Sequence, residues 1–197
     1  MMNNSNKIIV IGGSAGSFPI IMNLLPALPA HFDVPIIIVL HRLRNVFSEM
    51  ANLFSKVTNE HIIHEPEDKE PIQPGNIYLA PQNYHLLIEP DKVFSLDYSE
   101  QINFSRPSID MSFISTANVY KENCMGVLLS GSNRDGANGL HHILKNGGTA
   151  VIQDPIDASY DTMPKEAIKL NPAALVADSQ TILQLIVKSI ISSNGNN

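Results

Sequence analysis

The 197-residue sequence predicts an α/β fold: a doubly wound, mostly parallel sheet with helices on both faces and a small antiparallel hairpin insertion. Three observations carry this. Short unbroken runs of branched apolar residues recur, KIIVI at 7–11 and VPIIIVL at 34–40 among them, and such runs suit strands covered on both faces. They alternate with segments of helical period, which implies βαβ units with right-handed crossovers. Between 61 and 103 the alternation gives way to short strands separated by Pro74-Gly75 and Pro90-Asp91 turns, as a hairpin requires.

The elements follow in order. Residues 7–11 form the first strand. A helix over 17–28 carries Pro19 near its first turn, where a missing N–H is tolerated. Residues 34–40 form the second strand, and 46–57 a helix with Phe47, Met50, Phe54 and Val57 at helical spacing. Residues 61–64, 77–79, 85–89 and 93–96 are short strands, the last two paired about Pro90-Asp91. Glu65, Glu67, Asp68 and Glu70 gather here, as in a solvated loop or edge hairpin. The alternation then resumes: helix 107–121, strand 124–130, helix 136–145, strand 149–153, helix 164–170 and strand 173–176. A closing helix spans 179–191, with Ser179 at its start and Ile182, Leu183, Ile186 and Ile190 on its apolar face. Residues 1–6 and 193–197 are polar and expected to fray.

The length fits one domain over 1–197, large enough to bury about 70% of its unfolded surface without a metal or disulfide. With 44% apolar and 16% charged residues, the chain is not disordered as a whole. A net charge of -6 lacks the basic footprint of a nucleic-acid binder. The single cysteine, Cys124, excludes an intramolecular disulfide and reads as a small core residue, which fits a reducing cytoplasm. The longest apolar stretch, 34–40, is too short to cross a bilayer, and the N-terminus lacks a signal-peptide pattern. A cytoplasmic protein without membrane insertion is the expectation.

In an open parallel sheet, ligands bind beyond the carboxyl ends of the strands. The first strand is followed by Gly12-Gly13-Ser14-Ala15-Gly16-Ser17, the second by His41, and the strand at 124–130 by Gly131-Ser132-Asn133-Arg134-Asp135-Gly136. A serine, a histidine and an aspartate thus follow three strands on one edge, the set a Ser-His-Asp hydrolase needs. Each has a plainer role open to it: Ser14 and Asp135 as helix caps, His41 as a polar residue after a buried strand. A dinucleotide site fits poorly, because Ser14 and Ser17 stand where its fingerprint needs glycine. A serine flanked by glycines at a strand-to-helix turn is instead placed to be exposed, with the following amides near a developing oxyanion.

The same residues resemble a known family. The run Ile11-Gly12-Gly13-Ser14-Ala15-Gly16-Ser17 is similar to the nucleophile turn of chemotaxis-type protein-glutamate methylesterases, in their catalytic domain. The resemblance continues in order through His41, through Pro74-Gly75-Asn76-Ile77-Tyr78-Leu79-Ala80-Pro81 with His85-Leu86, and through Arg106-Pro107-Ser108-Ile109-Asp110. It extends to Leu128–Leu140, Gln153-Asp154 and Met163-Pro164-Lys165-Glu166-Ala167-Ile168.

That resemblance implies Ser14 as nucleophile, His41 as general base and acid, and Asp135 as the residue orienting it. It implies hydrolysis of γ-glutamyl methyl esters on a receptor protein, with methanol released, and glutamine deamidation as a second reaction. It implies no metal and no cofactor. Ala15, Gly16 and Ser132 become the site-lining candidates, Ser132 standing where the family has a methionine whose amide serves the oxyanion hole. Asn133 replaces a family glycine, which leaves the loop unaltered only where φ is not positive. Because of these departures, a receptor- or partner-docking homologue with weak catalysis stays open as the alternative. Typical family proteins carry a phosphorylated receiver domain ahead of the catalytic one. Here six residues precede the first strand, so control by a signalling partner in trans is expected. Of the four arginines, Arg42, Arg106 and Arg134 are candidates to meet carboxylates on the substrate, while Arg44 reads as surface.

Overall fold

The computed structural model describes residues 6–42, 49–58 and 61–194. Its elements run β1 (Ile8–Gly13), α1 (Phe18–Leu24), β2 (Ile36–Leu40), α2 (Met50–Val57), β3 (Ile63–His64), β4 (Ile77–Leu79), β5 (His85–Ile88) and β6 (Phe94–Asp97). They continue α3 (Ile109–Tyr120), β7 (Cys124–Leu128), α4 (Ala137–Lys145), β8 (Thr149–Gln153), α5 (Thr162–Leu170), β9 (Leu175–Ala177) and α6 (Ser179–Asn194). Seven strands form one sheet in the order β3-β4-β2-β1-β7-β8-β9, every pair parallel. β5 and β6 pair antiparallel as a separate hairpin.

The alternation of branched residues sorts the core into two halves. Ile8, Val10, Ile37 and Val39 face Phe113, Leu140 and Ala167 of α3, α4 and α5. Ile9, Ile11, Ile36 and Ile38 face Ile21, Leu24, Ile182 and Ile186 of α1 and α6. Period-2 strands between period-3.6 helices leave no other way to bury both faces. Cys124 lies in the first half, where burial pushes its thiol up to about 12.

Several boundaries differ from the sequence reading. β3 and β4 join the parallel sheet, so only β5 and β6 stand apart as the insertion. The first helix tightens into a 3-10 turn at Leu25–Ala27, where Pro26 removes an N–H donor. Of the helix expected over 46–57, residues 46–48 lie outside the described residues, Phe47 with them. Asp178, not Ser179, caps α6: its Oδ1 accepts from Thr181 N at 2.7 Å, while Ser179 Oγ turns to Asp157. Of the expected frayed ends, residues 193 and 194 continue α6, and 1–5 and 195–197 lie outside the described residues.

β1 sits at the centre. The chain leaves it toward β2 on one side and later returns to its other side as β7. The loops after β1 and β7 therefore diverge, and this switch point is where an open parallel sheet presents a crevice.

Candidate active site

Ser14, His41 and the 129–136 loop come to this switch point from three neighbouring strands. Gly13 pairs with Leu40 at the ends of β1 and β2, and His41 N donates to Gly13 O at 3.1 Å. One further step along the register sets Ser14 beside His41, since neighbouring strands lie about 4.8 Å apart. From β7, Ser130 O accepts from Ser14 N at 2.9 Å, tying the turn to the third strand.

Asp135 is fully buried and meets His41 from below: His41 Nε2 lies 2.9 Å from Asp135 Oδ2. The carboxylate also accepts from Ile109 N at 2.7 Å, Ser108 Oγ at 3.0 Å and Asp110 N at 3.1 Å. Burial opposes its charge, but the His41 contact and the two amides outweigh it and hold the carboxyl below its ordinary value. An ionised carboxylate only accepts, so Nε2 carries the ring proton and Nδ1 keeps its lone pair. Nδ1 lies 3.2 Å from Ser105 Oγ, and among the described residues no hydrogen bond joins it to Ser14 Oγ.

A sequence-family model described as CheB methylesterase matches residues 9–186. The chain belongs to the CheB methylesterase family. It is 44% identical over 180 residues to a Leptospira interrogans protein provisionally named protein-glutamate methylesterase/protein-glutamine glutaminase, covering 91% of this chain and 93% of that one. It is 31% identical over 189 residues to the Thermotoga maritima protein-glutamate methylesterase/protein-glutamine glutaminase, covering 94% of this chain but 55% of the relative. The crystal structure of the T. maritima CheB methylesterase catalytic domain superposes with a TM-score of 0.86 at 32% identity, covering 92% of this chain and 97% of that one.

The CheB-like site is braced by residues that spacing alone does not single out. Asp135 sits just before α4 yet caps α3, whose N-terminus supplies Ile109 N and Asp110 N. Asp110 sits in the first turn of α3 and caps α4, its Oδ1 accepting from Gly139 N at 2.7 Å and Gly136 N at 2.9 Å. Burial, and then the neighbouring Asp135 charge, push the Asp110 carboxyl up to about 6. On the other flank, Ser130 Oγ donates to Ala15 O at 2.8 Å and accepts from Tyr160 N at 2.9 Å, while Ser130 N donates to Gln153 Oε1 at 2.8 Å. His85, fully buried, accepts from Ser108 N at 3.0 Å through Nδ1 and donates to Glu100 O through Nε2.

The expected site-lining residues lie where two loops touch. A Cβ on Gly131 would stand 3.1 Å from Ser14 Cβ, so the 131–135 loop passes directly over the serine. Gly16 has φ +83, and a Cβ there would meet Ser130 Oγ at 2.6 Å, which leaves glycine as the fitting residue. Among the described residues, Ser14 N and Gly131 N are engaged by carbonyls, whereas Ala15 N and Ser132 N donate to none. Asn133 is not among the positive-φ residues, so asparagine in the family's glycine position fits the loop unstrained.

The arginines are placed differently from one another. Arg42 turns inward, its side chain only 4% exposed, and donates to Glu65 Oε1 at 2.7 Å and to Ala80 O. Its guanidinium braces the end of β2 rather than facing solvent. Arg106 donates to Tyr98 O and Ser99 O and stacks on the Tyr98 ring, 3.9 Å from its centroid. Arg134 is the exposed member, with Nε donating to Asn103 Oδ1 at 3.3 Å. Arg44 lies outside the described residues. Arg106 and Arg134 line two depressions of about 590 and 530 Å³ on either side of Asn103, and neither is lined by Ser14 or His41. Among the described residues no helix is long and apolar enough to cross a membrane, and no cluster of histidine, cysteine and carboxylate groups can hold a metal.

Proposed function

We propose that this chain hydrolyses γ-glutamyl methyl esters on a receptor protein in the cytoplasm, with Ser14 as nucleophile, His41 as general base and acid, and Asp135 orienting the imidazole. The observation that supports it most is the fully buried Asp135 carboxylate 2.9 Å from His41 Nε2, one strand over from the glycine-flanked Ser14. With Nε2 committed to Asp135, the proton traffic runs through Nδ1. Ser14 Oγ attacks the ester carbonyl while Nδ1 takes its proton, and the amides of Ala15 and Ser132 receive the oxyanion. Nδ1–H then protonates the departing methoxide, and methanol leaves. Water, deprotonated at the same nitrogen, releases the glutamate and restores Ser14. A glutamine side chain follows the same path with ammonia leaving, which is the deamidase reaction named for the relatives. Regulation is proposed to come from a signalling partner in trans.

The test is methanol release from methylated receptor in native membranes, with the wild-type chain beside Ser14→Ala. Release by the wild type alone supports the reading. Equal release from both chains removes Ser14 from the mechanism, and none from either favours the docking role.

A further inference from the structure

Ser105 comes from neither of the strands that carry Ser14 and His41. It closes a tight turn whose base is the paired amides and carbonyls of Ile102 and Ser105, and it is buried to 9% exposure. Its hydroxyl lies 3.2 Å from His41 Nδ1. Asn133 Nδ2 donates to the same oxygen at 3.3 Å, and Asn133 Oδ1 accepts from Asp135 N at 3.1 Å.

Together these contacts make a closed circuit with one direction. The Asp135 amide donates to Asn133, which fixes the orientation of its side-chain amide. Asn133 then donates to Ser105, Ser105 to His41 Nδ1, and His41 Nε2–H to the Asp135 carboxylate. Reversing it is blocked at both ends, because the carboxylate cannot donate and the backbone N–H cannot accept. A second acceptor for the Ser105 proton lies at hand: Asn103 O, 3.4 Å away.

We propose that Ser105 is a positioning residue for His41, presenting a hydrogen to the neutral ring and a lone pair to the protonated one. This rests on the triad reading. In the resting state Ser105 Oγ–H fills the single Nδ1 lone pair and so holds the ring in place. For the reaction Ser105 first rotates its O–H to Asn103 O, breaking no covalent bond, which frees that lone pair. When Ser14 loses its proton, the Ser14 O–H bond breaks, an Nδ1–H bond forms, and the Ser105 oxygen accepts from it. When methanol leaves, Nδ1–H breaks, the methanol O–H forms, and Ser105 rotates back. The resting contact is backed by Asn133, and the alternative acceptor, Asn103 O, lies 3.4 Å away. The charged groups facing the ring are Asp135 on Nε2 and Asp110 behind it, whereas Arg42 turns away to Glu65 and Arg134 to Asn103.

The experiment compares wild type, Ser105→Ala, Ser105→Thr and Ser14→Ala on methylated receptor membranes, with kcat, KM and the pH profile of kcat/KM for each. Ser105→Ala should lower kcat about fivefold to tenfold, the value of one hydrogen bond to the base, with KM within twofold. Its acid limb should also move, because both states of the ring lose their Ser105 partner. Ser105→Thr, which keeps the hydroxyl, should restore both. An unchanged kcat and acid limb in Ser105→Ala overturns the proposal, as does equal impairment in the threonine variant. Ser14→Ala separates the two readings. If it is inactive while Ser105→Ala is normal, only the present inference falls. If it is active while Ser105→Ala is not, the nucleophile is Ser105 and both fall.

Discussion

Asp110→Asn should stabilise the fold above pH 6 and leave it unchanged near pH 4. The Asp110 carboxyl is held up to about 6 from an ordinary 3.8, by burial first and the Asp135 charge second. The folded chain therefore binds more protons than the unfolded one between about pH 4 and 6, and wild-type stability falls as pH rises through that window. About two units at about 1.4 kcal/mol each make the loss roughly 3 kcal/mol. Asparagine keeps the useful contacts: one oxygen, Oδ1, takes both Gly136 N and Gly139 N, so a carbamoyl oxygen serves as well. Only Oδ2 is replaced, and it meets Asn103 Nδ2 at 3.4 Å, the edge of bonding range. Urea unfolding of both proteins from pH 4 to 8 at constant ionic strength gives the difference directly. It should rise from near zero to about 3 kcal/mol in favour of the variant, and other titrations cancel. A flat difference refutes the reasoning, and a variant weaker than wild type at pH 7 shows that α4 needs the charge, not just the oxygen.

Asp135→Asn should behave oppositely. Whichever way the amide turns, its NH₂ faces two donors, so two hydrogen bonds to a charged group are lost, at a cost of about 3–6 kcal/mol in urea unfolding. Because the Asp135 carboxyl is held low when folded, its stabilisation is present above the ordinary carboxylate range and lost as acid titrates it in the fold. Its kcat should fall about 10³–10⁴-fold, and a variant with wild-type stability would contradict the capping role. Phe104→Gly should raise stability by about 0.5–1 kcal/mol, since Phe104 is 95% exposed at φ 63 and glycine takes that conformation freely. A lower melting temperature for Phe104→Gly would mean that the ring is held by contacts.

The strand order's consequences were legible because branched runs mark the strands, and the residues just past them mark one edge. Ser14, His41 and Asp135 stood out in this way. Ser105 did not, because it reaches His41 from a turn 64 residues downstream with no periodicity of its own. Asp110 looked like any first-turn acid on α3, and its service to α4 depends on how two helices pack. Arg42 was misleading for a related reason: next to His41 in sequence, it points the other way, as alternate residues of an extended segment do. β3 and β4 were legible as short strands, but two and three residues carry too little pattern to reveal that they pair within the parallel sheet.

The crossed caps of α3 and α4 separate what can be lost in this lineage from what cannot. A chain that gave up hydrolysis and kept only recognition could exchange Ser14 at small cost to its architecture, whereas losing His41 would take away one of the four hydrogen bonds to the buried Asp135 carboxylate. It could not shed Asp135, whose carboxylate closes the N-terminus of α3. A surviving aspartate in a degenerate homologue therefore says that the scaffold is intact and says nothing about turnover, whereas the serine reports on chemistry alone.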